Sequence, residues 1–233
     1  MSSLELRTIA EQIFRAGVSA ADPRRLLLDR SRIENDQWHY QAPGVPDVNV
    51  SWDLPKKNTS GRLLVVGAGK AAASLAQALE ETVGDRIDGG RIVVKHGHGL
   101  PLKHVVVEEG GHPLPDEGGL EGTSRLIGDL EDTRPDDRVF FLLTGGASAL
   151  LIAPAPGLTL QDKIKTTQAL LACGATIQEI NTIRKHLSAV KGGRLAERIH
   201  PAKAMTLIVS DVVGDDLSSI GSGPTVPDPS TFA

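Results

Sequence analysis

Cysteine is nearly absent. The one present, Cys173, falls inside a helical pattern, so an internal disulfide framework and a cysteine zinc site are both excluded. Aromatic residues make up 3% of the chain, which leaves few platforms on which nucleobases could stack. The formal net charge is only -4, so neither nucleic acid nor an anionic membrane surface is indicated as a general partner. No apolar run is long enough to span a bilayer. The first residues carry Glu5, Arg7 and Glu11 rather than the apolar stretch of a signal peptide. Internal repeats and low-complexity tracts are missing too. The expectation is a soluble cytoplasmic protein of 233 residues, long enough to bury a full core as one large domain or two small ones.

What is present is apolar content of 40% and 25 glycines, which suits an Ala/Val/Leu/Gly-rich α/β protein. Leu4, Leu6, Ile9, Ile13 and Phe14 fall on one face of a helix that Gly17 would stop. Asp22-Pro23 reads as an N-cap with proline at the first helical position, opening a second helix through Arg32. Residues 35–60 are polar, contain proline and lack a period. They are expected to be a linker or surface hairpin between a helical segment over 1–34 and an α/β core over 61–233. In that core, strands are predicted at 63–66, 91–95, 104–107, 139–143 and 204–209. Helices are predicted at 70–83, 117–130, 160–171, 177–190 and 194–199. The strands are continuous apolar runs separated by helices. This predicts a Rossmann-like three-layer α/β/α sandwich with a mostly parallel sheet, preceded by N-terminal helices. The closing PTVPDPSTFA is proline-rich connecting sequence, as expected in a fragment of a longer chain.

The chemistry gathers in turns that follow strands, where open α/β sheets place their ligands. The densest is Ala204–Thr225, in which a buried strand over 204–209 is expected to run into Ser210, Asp211, Gly214, Asp215, Asp216, Ser218, Ser219, Gly221, Ser222 and Gly223. Carboxylates suit a hard divalent cation, and glycines let backbone N–H groups approach a phosphate. The same residues also suit a polar turn that caps the next helix. Gly67-Ala68-Gly69-Lys70 is a second such turn. It fits G-x-G-x-x-A, but the following strand ends in Lys95-His96, where a dinucleotide fold places an acidic residue for the ribose. It is not a Walker A loop, because Leu64 and Ala71 stand where Gly and Ser or Thr are required. The surviving reading is an anion held by small residues, a helix N-terminus and the charge of Lys70.

Thr144-Gly145-Gly146-Ala147-Ser148 is a third turn. G-x-S-x-G is absent, so Ser148 is read as a substrate hydrogen bond or a helix cap rather than a nucleophile. His112, held extended before Pro113, would point into the strand-end crevice, although a lone histidine is more often structural; Asp116 is a cap for the next helix. His96 and His98 have no third ligand nearby, which argues against a two-histidine metal site. Arg184, Ser188 and Lys191 fall at i, i+4 and i+7. One helix face would then present two cations and a hydroxyl to an anionic substrate, or to solvent.

Taken together and in this order, GAGKAA, GGHPLPDEGG, TGGASAL, NTIRKHLSAVKGG and SDVVGDDLSSIGSGPT resemble the N-terminal domain of the glycerate 2-kinases, a family also labelled hydroxypyruvate reductase in tartrate-utilisation gene clusters. The resemblance runs from about Leu4 to the end. It implies a Rossmann-like domain followed by a smaller C-terminal α/β domain absent here, with the active site in the cleft between them. It implies ATP and Mg2+ as cofactors, D-glycerate as substrate and Lys70 and Asp211 as catalytic residues. Gly67, Gly69, Ser148, Arg184 and Lys191 would bind substrate. Gly145, Gly146, Gly221, Ser222 and Gly223 would bind the nucleotide. Asp211, Asp215 and Asp216 would hold the metal. An arginine that the relatives supply from the second domain has no counterpart, so the fragment alone is expected to be inactive. Ala147 departs from the glycine more common in relatives. A homodimer is allowed, and neither nucleic acid nor membrane is expected as a partner. The alternatives are an NAD(P)-dependent hydroxypyruvate reductase and a sugar-phosphate-binding module without turnover.

Overall fold

The computed structural model describes residues 2–41, 49–56 and 60–231. Helix α1 (Ser3–Ala20) opens on a capping box, in which Ser2 Oγ accepts from the Glu5 N–H and the Glu5 carboxylate accepts from the Ser2 N–H. It runs past Gly17, and its apolar face is uncovered among the described residues: Leu4 is 75% exposed and Phe14 70%. Helix α2 (Pro23–Leu28) starts at the Asp22 cap, as the sequence predicts, but ends at Leu28 rather than Arg32.

The chain then forms β1 (Ser31–Glu34), β2 (Gln37–Gln41) and β3 (Asn49–Asp53), a three-stranded antiparallel sheet where only a linker or hairpin is expected. Residues 42–48 and 57–59 of that stretch lie outside the described residues. Packing is the reason for the sheet. Trp38 on β2 is fully buried and lies edge-on to Phe140 at 5.2 Å, while Trp52 on β3 reaches the same ring at 4.6 Å.

Five parallel strands make the central sheet: β4 (Leu63–Ala68), β5 (Gly89–Lys95), β6 (Val106–Gly110), β7 (Arg138–Thr144) and β8 (Lys203–Val209). Their order is β6-β5-β4-β7-β8. The chain therefore builds outward from β4 in one direction, then crosses to β7 on its other side. The carboxyl ends of β4 and β7 flank that switch point, where such sheets open a crevice. β6 begins two residues later than predicted. β8 is expected to be buried but lies at the sheet edge with one neighbour, so its residues are only half-covered.

Helix α3 (Ala72–Val83) covers one face together with the three-stranded sheet. The remaining helices are α4 (Glu117–Leu130), α5 (Ala147–Leu150), α6 (Leu160–Ala172), α7 (Ile177–His186) and α8 (Arg194–Ile199). α4, α5 and α8 cover the opposite face, completing the three-layer sandwich. Helix α7 ends four residues before the predicted Val190. There the chain turns away to pair with residues 153–155, through Ala189 N–H to Ala153 O at 2.9 Å and Ala155 N–H to Leu187 O at 3.1 Å, which buries Val190.

At the amino ends of β4 and β7, Asp137 is fully buried and accepts from the Arg62 N–H at 2.7 Å, the Arg62 guanidinium at 2.8 Å and the Arg134 N–H at 3.1 Å. Burial alone would raise its pKa. The hydrogen bonds from Arg62 and Arg134 outweigh that and hold it below the usual carboxylate range. This contribution to stability is present above the unfolded carboxylate pKa of about 3.9 and is lost as pH falls below it. Asp137→Ala is expected to cost about 3 kcal/mol in urea unfolding at pH 7. Asp137→Asn is expected to flatten the acid limb of the stability curve.

Candidate functional site

Because the five core strands are parallel, the turns after them share one rim. Gly69 adopts φ +135° and packs so closely on β7 that a methyl there would lie 2.1 Å from Thr144 Oγ1. The Lys70 N–H donates to Gly145 O at 2.9 Å and the Ala71 N–H to Thr144 Oγ1 at 3.1 Å, so the two turns are laced together. The Asp211 carboxylate sits over the next residue: a methyl on Gly145 would stand 2.5 Å from Asp211 Oδ2. A methyl on Gly146, at φ +91°, would stand 3.2 Å from Lys70 Cε and 3.0 Å from His112 Cδ2. Lys70, His112 and Asp211 thus converge on one glycine pair. The charged ends of Lys70 and Asp211 make no hydrogen bond or ion pair among the described residues.

The loop carrying His112 is pinned by Asp116. Its Oδ1 accepts from the Gly111 and Gly119 N–H groups at 2.8 and 2.9 Å, capping α4, and its Oδ2 lies 2.7 Å from His96 Nε2. His112 itself is half-buried. Burial first, then the charges of Lys70 and Lys95, lower its pKa against the opposing pull of Asp211.

Ser148, half-buried, lies 2.9 Å from Ser222 Oγ, which donates to Asn181 Oδ1 at 3.4 Å. Ser222 is fully buried, and a methyl on Gly221 would meet Leu143 at 2.7 Å; Gly221 and Ser222 therefore pack beneath the rim. Gly223 N–H completes a turn to Ile220 O. Gly67 faces Leu142 within the sheet and does not line the crevice.

The helix-face argument for Arg184, Ser188 and Lys191 is corrected, because α7 stops at His186. Ser188 instead bridges to Pro154. Lys191 is fully buried and donates to Leu151 O at 2.8 Å, at the carboxyl end of α5. Lys163, which sequence reasoning passed over, donates to Leu187 O at 2.8 Å at the carboxyl end of α7. Each amino group serves a carbonyl at a helix carboxyl end, while burial lowers the pKa of both, that of Lys191 well below the lysine range. Arg184 is half-buried and makes no hydrogen bond or ion pair among the described residues.

The three-aspartate metal set is not assembled either. Asp216 accepts from the Ser218 and Ser219 hydroxyls and the Ser218 N–H, while Asp215 stands exposed at φ +51°. Among the described residues no group of three or more His, Cys, Asp or Glu side chains is placed to hold a metal ion. No described helix is long and apolar enough to cross a membrane.

The family described as "Domain of unknown function (DUF4147)" matches residues 9–233. The chain belongs to that family. Among curated relatives, a protein of Agrobacterium vitis provisionally named hydroxypyruvate reductase is 41% identical over all of this chain and 48% of its own length. The D-glycerate 2-kinase of Thermotoga maritima is 47% identical over 80% of this chain and 45% of its own. The crystal structure of the Thermotoga maritima glycerate kinase superposes with a TM-score of 0.79 at 40% identity, covering 97% of this chain and 49% of that one. The DUF4147 chain therefore spans about half the length of the relatives it matches.

Within the DUF4147 site, the residue sequence reasoning undervalued is His112. Its signal was the loop after β6, which a parallel sheet must bring to the same rim. Lys163 carries no signal in the sequence, because the carbonyl it serves ends a helix distant in the chain. Burial, with the charge of Arg184, lowers the Lys163 pKa to about 8. An unfolded lysine titrates near 10.4, so the folded state binds fewer protons between these values and stability rises with pH across that window. In Lys163→Met, urea midpoints measured from pH 7.5 to 10.5 are expected to lose most of a rise worth about 3 kcal/mol.

Proposed function

We propose that this chain carries the substrate-binding side of an ATP-dependent glycerate 2-kinase, which phosphorylates the 2-hydroxyl of D-glycerate. The observation that carries the reading is the convergence of unpaired Lys70 and Asp211 on the Gly145–Gly146 turn at the switch point. Phosphoryl transfer asks a protein mainly for positioning and charge neutralisation. Lys70 neutralises anionic oxygens of substrate or phosphate. Ser148 and Arg184 hold the glycerate carboxylate, with Lys191 supporting from below. The open backbone of Gly145 and Gly146 admits phosphate oxygens. Magnesium keeps most of its shell in water and phosphate and needs only one or two carboxylates. The free carboxylate of Asp211 fits that demand, and the ion would screen phosphate charge. The names of the Thermotoga maritima relatives support the substrate.

A hydroxypyruvate reductase is the second reading, favoured by the name of the Agrobacterium vitis relative and by Lys95, which ends β5 where a 2′-phosphate would lie. The acidic loop after β8 has no task in hydride transfer.

ATP consumption with D-glycerate, run beside nicotinamide absorbance with hydroxypyruvate, separates the two. Turnover of ATP alone is expected, assayed in an assembly that has the relatives' full length. In that assembly Lys70→Ala and Asp211→Asn are each expected to lower turnover at least about 100-fold with an unchanged circular dichroism spectrum. A near-normal rate removes that residue from the site. Glycerate binding with neither turnover identifies a binding module instead.

A further inference from the structure

His112 is placed in the crevice, yet the reaction as proposed leaves it without work. Its ring edge and the Lys70 side chain share the space over Gly146 Cα: His112 Nε2 and Lys70 Cε are each 3.2 Å from the point a methyl would occupy. The loop that carries the ring is held at both ends by Asp116, so this position is built into the fold rather than left to a free side chain. The ring makes no hydrogen bond to any other described residue. The charged groups that face it are Lys70 after β4, Lys95 at the end of β5 and Asp211 after β8. Partial burial and two cations outweigh the ring's hydrogen bond to its own backbone and one carboxylate, which favours the neutral imidazole; the ring nitrogen not engaged with the backbone is open as an acceptor.

We propose that His112 is a substrate-contacting residue of this site, accepting a hydrogen bond from the hydroxyl of a small hydroxy acid whose anionic oxygens lie by Lys70. The inference rests on the glycerate reading for the identity of the ligand and on the Gly146 geometry for the place. Lys70 recognises charge without distinguishing a hydroxy acid from its deoxy analogue. An ammonium has donors only, whereas a neutral imidazole offers the acceptor that an O–H requires. A site built to pair a substrate hydroxyl discriminates against the analogue that lacks it, because its own acceptor is then left unpaired.

Histidine ring resonances of this chain, followed by NMR through a pH titration with and without saturating D-glycerate, give the first readout. His112 is expected to titrate below the ordinary value of about 6.5, and its ring resonances and titration are expected to change when glycerate binds, because the accepted hydroxyl holds the ring neutral while the anion screens the two lysines. A titration unmoved by bound glycerate overturns the inference, as does failure of the wild type to bind glycerate at all. Calorimetry gives the second. The wild type is expected to prefer D-glycerate over 3-hydroxypropionate, which lacks the 2-hydroxyl, by about tenfold. His112→Phe is expected to erase that preference while retaining 3-hydroxypropionate binding. His112→Gln, which keeps an acceptor and stands in if the Phe variant does not fold, is expected to retain part of it. An unchanged preference in His112→Phe overturns the inference. Failure of the kinase reading looks different: ATP is not consumed while both His112 readouts hold.

Discussion

The close approach of two backbones at the switch point fixes the rest. β4 and β7 are neighbours, but their following turns leave toward opposite faces, β4 into α3 and β7 into α5. For the turns to stay in contact as they part, side chains must vanish between them. Gly67 faces Leu142 where a methyl would come within 2.4 Å of its carbonyl oxygen, and Gly69 leaves no room beside Thr144. The gap is then closed by hydrogen bonds from Lys70 and Ala71 to Gly145 and Thr144. Lys70 is thus positioned by its own N–H, which leaves its side chain free. Phe140 and Phe141 complete the frame by alternation, one filling each core cluster on either side of the sheet.

Charge is handled in two ways. Away from the rim, ions are paired: Arg62 with Asp137, and Arg91 with both Glu108 and Asp129. These pairs pin strand ends and the α4 layer. At the rim, Lys70 and Asp211 lack such partners among the described residues, and so does Arg184 on α7. Asp211 is exposed and solvated, so leaving it unpaired costs little; Arg184 is half-buried, and burial lowers its pKa.

Most of the layer structure was legible because burial on both faces writes continuous apolar strands into the chain, and β4, β7 and α4 fall where that pattern places them. What escaped depends on contacts distant in sequence. The three-stranded sheet over 31–53 carries only single apolar residues between polar ones, and its place is set by Trp38 and Trp52 meeting Phe140, about a hundred residues later. Residues 187–190 carry a helical period, but pairing with 153–155 outweighs local propensity. The apolar run of β8 reads as buried, because sequence cannot say that a strand is last in its sheet. Lys191 looked like a surface cation for the same reason: the carbonyl it serves belongs to Leu151.

The same topology bears on which ligand the crevice suits. In a dinucleotide fold the end of the strand beside β4 supplies an acceptor for ribose hydroxyls. Here that strand is β5, and it ends in Lys95, a donor. Lys70 follows β4 and Lys95 ends β5 where a ribose would want an acceptor; the carboxylates nearby, Glu109 and Asp116, are engaged with His96 and Gly97, and Asp211 stands on the β8 side. Under the kinase reading proposed above, an anionic substrate would lie toward the lysines and Asp211 would be left to face a metal ion, so both signs of charge would be used. A nicotinamide cofactor would use the positive half alone, through a 2′-phosphate, and would leave Asp211 facing hydride chemistry it does not assist.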